Sequence, residues 1–190
     1  MENSEIKKRL FIGIDLPVEL KKVLGNVANT ICLKDRDIRA TADNNIHITL
    51  KFIGDTNINK IDKIINAIRK TAENFNSFEC KIENKIDAFP DYNSARIIFV
   101  PIGLGNDKIN KIYDILEDNL SKIKIRKEER NFIPHITIAR IKYKKNIKDA
   151  INNLNFDYES RIICDKLTLF ESVLKQSGAE YINIDEIRLK

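Results

Sequence analysis

Two tetrads, HITL at 47–50 and HITI at 135–138, contain the only two histidines of this 190-residue chain. They stand 88 positions apart. The same offset carries Phe11 onto Phe99 and nearly superposes two helical segments, those starting near 57 and 146. Self-similarity at a fixed offset implies an internal duplication. That constrains the fold more than any other feature. Each half is too short for a large core of its own, so the two are expected to form facing lobes around one cleft.

The order of elements repeats as well. RLFIGID (9–15) is a short apolar strand, after which Asp15 and Pro17 open a helix with Leu20, Val23, Leu24, Val27 and Ile31 at helical spacing. NIHITLKFIG (45–54) alternates and is β-branched, which predicts a strand. A helix follows over 57–72, then a strand over 78–89 and a turn at 90–94. In the second half the expected order is a strand at 95–103, a helix at 106–120, a strand at 132–141, a short helix at 146–154, and strands at 159–172 and 179–189. Strands and helices without strict βαβ alternation point to an α+β fold, bilobed and internally duplicated, with two antiparallel sheets facing a central cleft and helices outside. The expected unit is a single domain over 1–190, its lobes being the halves around His47 and His135.

Composition bounds the function class. At 43% hydrophobic residues the chain builds a core and is not disordered. A net charge of +5 is compatible with an acidic partner such as RNA. Cys32, Cys80 and Cys164 are odd in number, widely spaced and free of any CxxC, which reads as reduced thiols in the cytoplasm. No apolar run approaches membrane-spanning length, and the opening MENSEIKKRL lacks the apolar core of a signal peptide.

In a strand, residues i and i+2 share a face. His47 and Thr49 therefore project together, as do His135 and Thr137, backed by Ile46, Ile48, Ile136 and Ile138. Imidazole both gives and takes protons near neutral pH. Two of them on opposite sides of a phosphodiester supply a general base and a general acid, with a pH optimum near neutrality. Two hydroxyls can donate to the non-bridging oxygens where charge gathers. A zinc site would want at least three protein ligands, and neither histidine has a second histidine or a cysteine at ligand spacing, so no metal and no cofactor is expected. A Ser–His–Asp or Cys–His arrangement has no local signature and would leave the second tetrad without a role.

The paired His–x–Thr–apolar tetrads resemble the two signature motifs of the 2H phosphoesterase superfamily. RLFIGIDLP, NNIHITLKFIGD, FPDYNSARIIFVPI, RNFIPHITIAR and FESVLKQSGAEYINI resemble, in order and over nearly the whole chain, segments of the LigT-like RNA 2′,3′-cyclic phosphodiesterases, also called 2′-5′ RNA ligases. The resemblance implies a bilobed α+β fold and metal-independent opening of RNA 2′,3′-cyclic phosphate ends to 2′-phosphomonoesters. It makes His47 the proton donor to the departing 3′ oxygen and His135 the proton acceptor that activates water. Thr49 and Thr137 would grip the phosphate, joined by Arg140, and Phe52 would lie at the base.

Phe52 and Arg140 both stand five residues after a histidine, and strict alternation would turn them away from it. Either the strand bulges there or Phe52 is core. By parity Lys51 shares the histidine face, and Arg130 precedes the second motif strand; both are weaker nucleotide-binding candidates. KIKIRKEER (122–130) and KYKK (142–145) could form a basic rim for an RNA backbone. The segment RATADNN lacks the tryptophan and proline common at that point in the family, and Asn131 stands where proline is common. The expected partner is RNA with a 2′,3′-cyclic phosphate end, bound by a monomer. The tetrads alone also suit 2′-5′ RNA ligation or a small cyclic nucleotide, and a module that binds RNA ends without turnover is the reading from another class.

Overall fold

An alternating strand buries one row of side chains and offers the other, so the isoleucines of the tetrads dictate where the core must lie. The computed structural model describes residues 6–152, 154, 156–158, 161–176 and 178–190. The elements run β1 (Lys7–Asp15), α1 (Val18–Lys34), β2 (Ile38–Ala40), β3 (His47–Asn57), α2 (Ile61–Ala72), β4 (Phe78–Cys80), β5 (Asp87–Phe89), β6 (Ala95–Pro101), α3 (Asn106–Ser121), β7 (His135–Lys145), α4 (Lys148–Ile151), β8 (Ile162–Cys164), β9 (Lys166–Lys175) and β10 (Gly178–Arg188). The class is α+β with two antiparallel sheets, as expected. The larger has eight strands, ordered β10-β9-β1-β3-β7-β6-β5 with β2 beside β7, and the smaller is β4 with β8.

Both tetrads open a strand of the larger sheet, and those strands are neighbours. β3 and β7 are 11 residues long each, yet they pair only at Ile48↔Ile136. Away from that pair they splay, each held by its own partners: β3 by β1, and β7 by β6 and β2. Ile46, Ile48, Ile136 and Ile138 are fully buried, in one continuous cluster with Leu20, Leu24 and Ile31 of α1, Ile64 and Ile68 of α2, and Ile109, Ile112 and Leu116 of α3. Each such side chain contributes roughly 1.5–3 kcal/mol through the water it excludes. The helices thus cover the isoleucine face and leave the histidine face open.

Three expectations need correction. The strand expected over 78–89 is two short strands in different sheets, because β4 pairs with β8 while β5 pairs with β6. The strand expected at 159–172 divides at Asp165 into β8 and β9; residues 159 and 160 lie outside the described residues. The helix expected over 146–154 is described only as the single turn α4, with Asn153 outside the described residues. The thiols are free, Cys80 and Cys164 buried and Cys32 half-buried. Pairing of β4 with β8 brings Cys80 Sγ to 3.2 Å from Cys164 Sγ despite their separation along the chain. Among the described residues no helix is long and apolar enough to cross a membrane.

Candidate active site

Each histidine is oriented by the chain just before it. His47 Nδ1 donates to the Asn45 carbonyl at 2.7 Å, and His135 Nδ1 donates to the Ile133 carbonyl at 2.7 Å. A carbonyl oxygen only accepts, so the proton of the neutral ring sits on Nδ1 and Nε2 is the working nitrogen. His47 Nε2 lies 2.7 Å from Thr49 Oγ1, which donates to it when the ring is neutral. Antiparallel register carried one residue either way from Ile48↔Ile136 sets His47 across from Thr137 and Thr49 across from His135. The two tetrads are therefore neighbours across β3 and β7, related by a local twofold through the isoleucine pair.

The ring environments repeat in the same way. Phe11 lies 4.8 Å from the His47 ring and stacks on Phe170 at 4.8 Å. Phe99 lies 5.1 Å from the His135 ring and stacks on Phe89 at 4.1 Å. Tyr181 breaks the symmetry, meeting the His47 ring edge-on at 5.3 Å. Gly13 is a second residue that sequence reasoning missed. A Cβ there would come 2.6 Å from the Ile48 carbonyl oxygen and 3.3 Å from His47 Cδ2. The imidazole lies over β1 because position 13 has no side chain, and a lone glycine inside a strand was the available signal.

Parity fails identically in both motif strands. β1 pairs with β3 as Phe11↔Phe52, Ile12↔Lys51, then Gly13↔Thr49, which leaves Leu50 as an extra residue. β6 pairs with β7 as Ile97↔Arg140, Ile98↔Ala139, then Phe99↔Thr137, which leaves Ile138 extra. Each bulge falls three residues after its histidine and turns two consecutive residues inward. Phe52 and Arg140 are thereby returned to the histidine face. Phe52 is 61% exposed, which rules out a core role, and it sits 5.9 Å from Phe11. Arg140 is exposed, with its charge in range of both imidazoles.

The same bulge overturns the placement of Lys51 by parity. Lys51 is buried, not on the histidine face, and its Nζ is 2.7 Å from Glu117 Oε1 and 2.8 Å from the Arg126 carbonyl. Glu117 in turn accepts from the Glu128 backbone N–H at 2.9 Å. Lys51 thus clamps the segment after α3 against β3, and its ammonium is committed to that task. Glu128, Arg130, Asn131, Phe132 and Ile133 of the clamped segment join Thr49, Lys51, Phe52, Phe89, Arg96 and His135 around a cleft of about 490 Å³, whose lining reaches His135 and Thr49 but not His47, Thr137 or Arg140. Arg130 is exposed at its wall. The basic rim is partly neutralised: Lys127 pairs with Asp118, Arg126 with Glu129, and Lys145 with Asp35 and Asp37.

Burial sets the electrostatics. Loss of water pushes the His47 pKa from the ordinary 6.5 down to about 4, against the opposing pull of the Asn45 carbonyl and the Asp15 carboxylate. Burial also lowers the His135 pKa, aided by Arg140 and opposed by the Ile133 carbonyl. Both rings are therefore neutral at pH 7, and His47 is the harder to protonate. Among the described residues no three His, Cys, Asp or Glu side chains gather as metal ligands.

Residues 34–175 match the 2′-5′ RNA ligase superfamily. An RNA 2′,3′-cyclic phosphodiesterase of Methanocaldococcus jannaschii is 30% identical over 182 residues, covering 94% of this chain and 99% of that one. One of Thermotoga maritima is 28% identical over 175 residues, covering 91% of each. Among solved structures, TT0787 of Thermus thermophilus superposes with a TM-score of 0.80 at 19% identity, covering 95% of this chain and 97% of that one. E. coli LigT complexed with 3′-AMP superposes with a TM-score of 0.74 at 17% identity, covering 97% and 99%. These two structures share the fold.

Two stability outcomes follow from the site. Lys51→Ala leaves Glu117 buried without its cation and should cost about 3–5 kcal/mol in urea denaturation. The paired change Lys51→Met with Glu117→Leu should recover most of that loss. For His47, the unfolded chain takes up a proton near the ordinary 6.5, while the folded site resists until about 4. The unfolded state binds more protons in that window, so stability is full above pH 6.5 and declines as pH falls toward 4, by up to ~1.4 kcal/mol per pH unit. Denaturation at pH 7 and pH 5 should show a smaller decline for His47→Gln than for the native protein.

Proposed function

The chain belongs to the 2′-5′ RNA ligase superfamily, and from that premise we propose that it hydrolyses RNA 2′,3′-cyclic phosphodiester ends to 2′-phosphomonoesters. The observation that carries this reading is the antiparallel juxtaposition of His47–Thr49 with His135–Thr137 about Ile48↔Ile136. It supplies one working nitrogen and one hydroxyl on each side of a single anion. The curated relatives named RNA 2′,3′-cyclic phosphodiesterase support the substrate class.

In this mechanism the cyclic phosphate lies between the tetrads, its non-bridging oxygens accepting from Thr49 and Thr137. His135 Nε2 takes a proton from water as the water oxygen bonds to phosphorus. The bond from phosphorus to the 3′ oxygen breaks, and protonated His47 Nε2 gives its proton to that oxygen. Phosphate remains on the 2′ oxygen. Arg140, within range of both rings, offsets the charge gathering on the phosphoryl oxygens. Burial suits these roles: the more strongly depressed ring, His47, is the stronger acid once protonated, and His135 is the better base. The bound anion favours the imidazolium and so loads His47. No metal takes part. The site is complete within one chain, which supports a monomeric enzyme. The repeated bulge, the repeated aromatic stack and the like-with-like pairings β3·β7 and β4·β8 favour one domain of two pseudo-symmetric lobes.

Incubation with an oligonucleotide ending in the cyclic phosphate, read by phosphorus NMR, should give a 2′-phosphate; a mainly 3′-phosphate product would overturn both roles. His47→Ala and His135→Ala should each lower turnover at least ~10²-fold. The double variant should lose far less than the product of the two, because the residues act as a unit. Exhaustive chelation should leave the rate unchanged.

The pH profile follows from the depressed rings. In the free enzyme kcat/KM rises with pH as His135 loses its proton and falls as His47 loses its own, so its optimum lies below about 6.5, the ordinary histidine value, rather than at neutrality. The bound anion raises both pKa values, so the kcat optimum should sit at higher pH than that of kcat/KM. Initial rates across pH 4–9 test both positions.

A further inference from the structure

β2 is only three residues long, and it places one charge beside another. It pairs with β7 as Ile38↔Ile141, Arg39↔Arg140 and Ala40↔Ala139. Directly opposed antiparallel residues share a face with Cβ atoms about 4.5–5.5 Å apart, and like charges so placed repel. Both guanidiniums are exposed, while Ile38, Ala139 and Ile141 around them are buried. On its other side Arg140 faces Ile97. Of the acids nearest Arg39 along the chain, Asp35 and Asp37 are taken by Lys145 at 2.6 Å and 3.3 Å, and the Asp43 carboxylate lies against Gly25 of α1. Among the described residues neither arginine has a carboxylate partner. Two uncompensated guanidinium forks side by side form a geometry suited to a shared phosphate.

The pair lies on the histidine face, because the bulge at Ile138 turns Arg140 to the side of His135 and Thr137. From the tetrads the face continues along β7 to Arg140 and then outward across β2 to Arg39. We propose that Arg39, with Arg140, binds the phosphodiester on the 5′ side of the terminal nucleotide and so distinguishes an RNA end from a free nucleoside 2′,3′-cyclic phosphate. This rests on the hydrolytic reading above. A nucleoside cyclic phosphate with a free 5′ hydroxyl has nothing to offer Arg39. Every RNA end has one phosphate at that place.

The test compares adenosine 2′,3′-cyclic phosphate with an adenosine dinucleotide ending in the same group, using the full chain. In Arg39→Gln the ratio of kcat/KM on the dinucleotide to that on the mononucleotide should fall by roughly 10- to 100-fold, the range for a hydrogen bond to a charged group. Arg39→Lys should restore part of it, as a point charge without the fork. The slope of log kcat/KM on the dinucleotide against log salt should become shallower by about 0.7 in Arg39→Gln, the value for one phosphate contact on a single strand. Thermal midpoints should be equal to or above the native value, since one of two opposed like charges is gone. An equal loss on both substrates, or no loss on the dinucleotide, would overturn the subsite. Calorimetry with the two 2′-phosphate products reads the same preference without turnover. A native preference for the dinucleotide product, lost in Arg39→Gln, upholds the subsite even if hydrolysis fails; no native preference refutes it.

Discussion

The site hangs on one backbone pair. Ile48 and Ile136 are the single residues at which β3 and β7 meet, and both are fully buried. Because strand side chains alternate, burying these two isoleucines obliges their neighbours on both sides to point the other way. Antiparallel pairing then sets the histidine of one tetrad beside the threonine of the other. A register slip of one residue would turn the isoleucines out and the histidines in, at the full cost of exposing apolar surface while burying unpaired imidazoles. The geometry of the chemistry is therefore held by the hydrophobic effect acting on the opposite face of the sheet.

What alternation establishes near that pair, the bulges revoke two residues later. Leu50 and Ile138 each take an extra place in their strands, and the residues beyond change sides. The consequence is a division of labour. Up to the bulge the strand presents the histidine and threonine proposed to meet a phosphate; beyond it, the face receives Phe52 in one half and Arg140 in the other. The halves are alike where the proposed reaction calls for a proton on each side, and unlike at Phe52 and Arg140, where an asymmetric substrate would be oriented. The bulge also sends Lys51 inward, where its ion pair with Glu117 holds the cleft wall. One backbone irregularity thus both exposes Phe52 and secures the wall.

These causes explain which parts were legible in the sequence. The tetrads, their offset and the order of long elements follow from local pattern, because alternation and helical spacing are local properties. Strict parity misassigned Lys51 because a bulge is a property of pairing between strands, which one strand's sequence does not carry. The adjacent apolar residues Ile138 and Ala139 were the faint sign of it in the second half, and Lys51 obscured it in the first. β2 escaped because three residues, Ile38–Ala40, display no period. The split of 78–89 escaped because β4 and β5 are separated by the sheet each joins, not by a clear breaker between them. Gly13 was visible, but what it makes room for, the His47 ring, lies on another strand.

Desolvation ties these features to function. The aromatic rings that enclose each imidazole remove water from it and so disfavour its charged form; this is why His47 is pushed to about 4. An enclosed neutral imidazole is a poor acid donor until an anion arrives. Once a phosphate lies against the hydroxyls, the same dry surroundings strengthen its attraction for an imidazolium, since charges interact more strongly where water is excluded. In the proposed mechanism the aromatic packing therefore makes protonation of His47 conditional on the substrate's charge. Arg140 acts in the same sense as burial, lowering both rings, and a bound phosphate would offset its field. In that mechanism charge state and substrate binding are coupled through burial, and the coupling is strongest at His47, the ring proposed as proton donor.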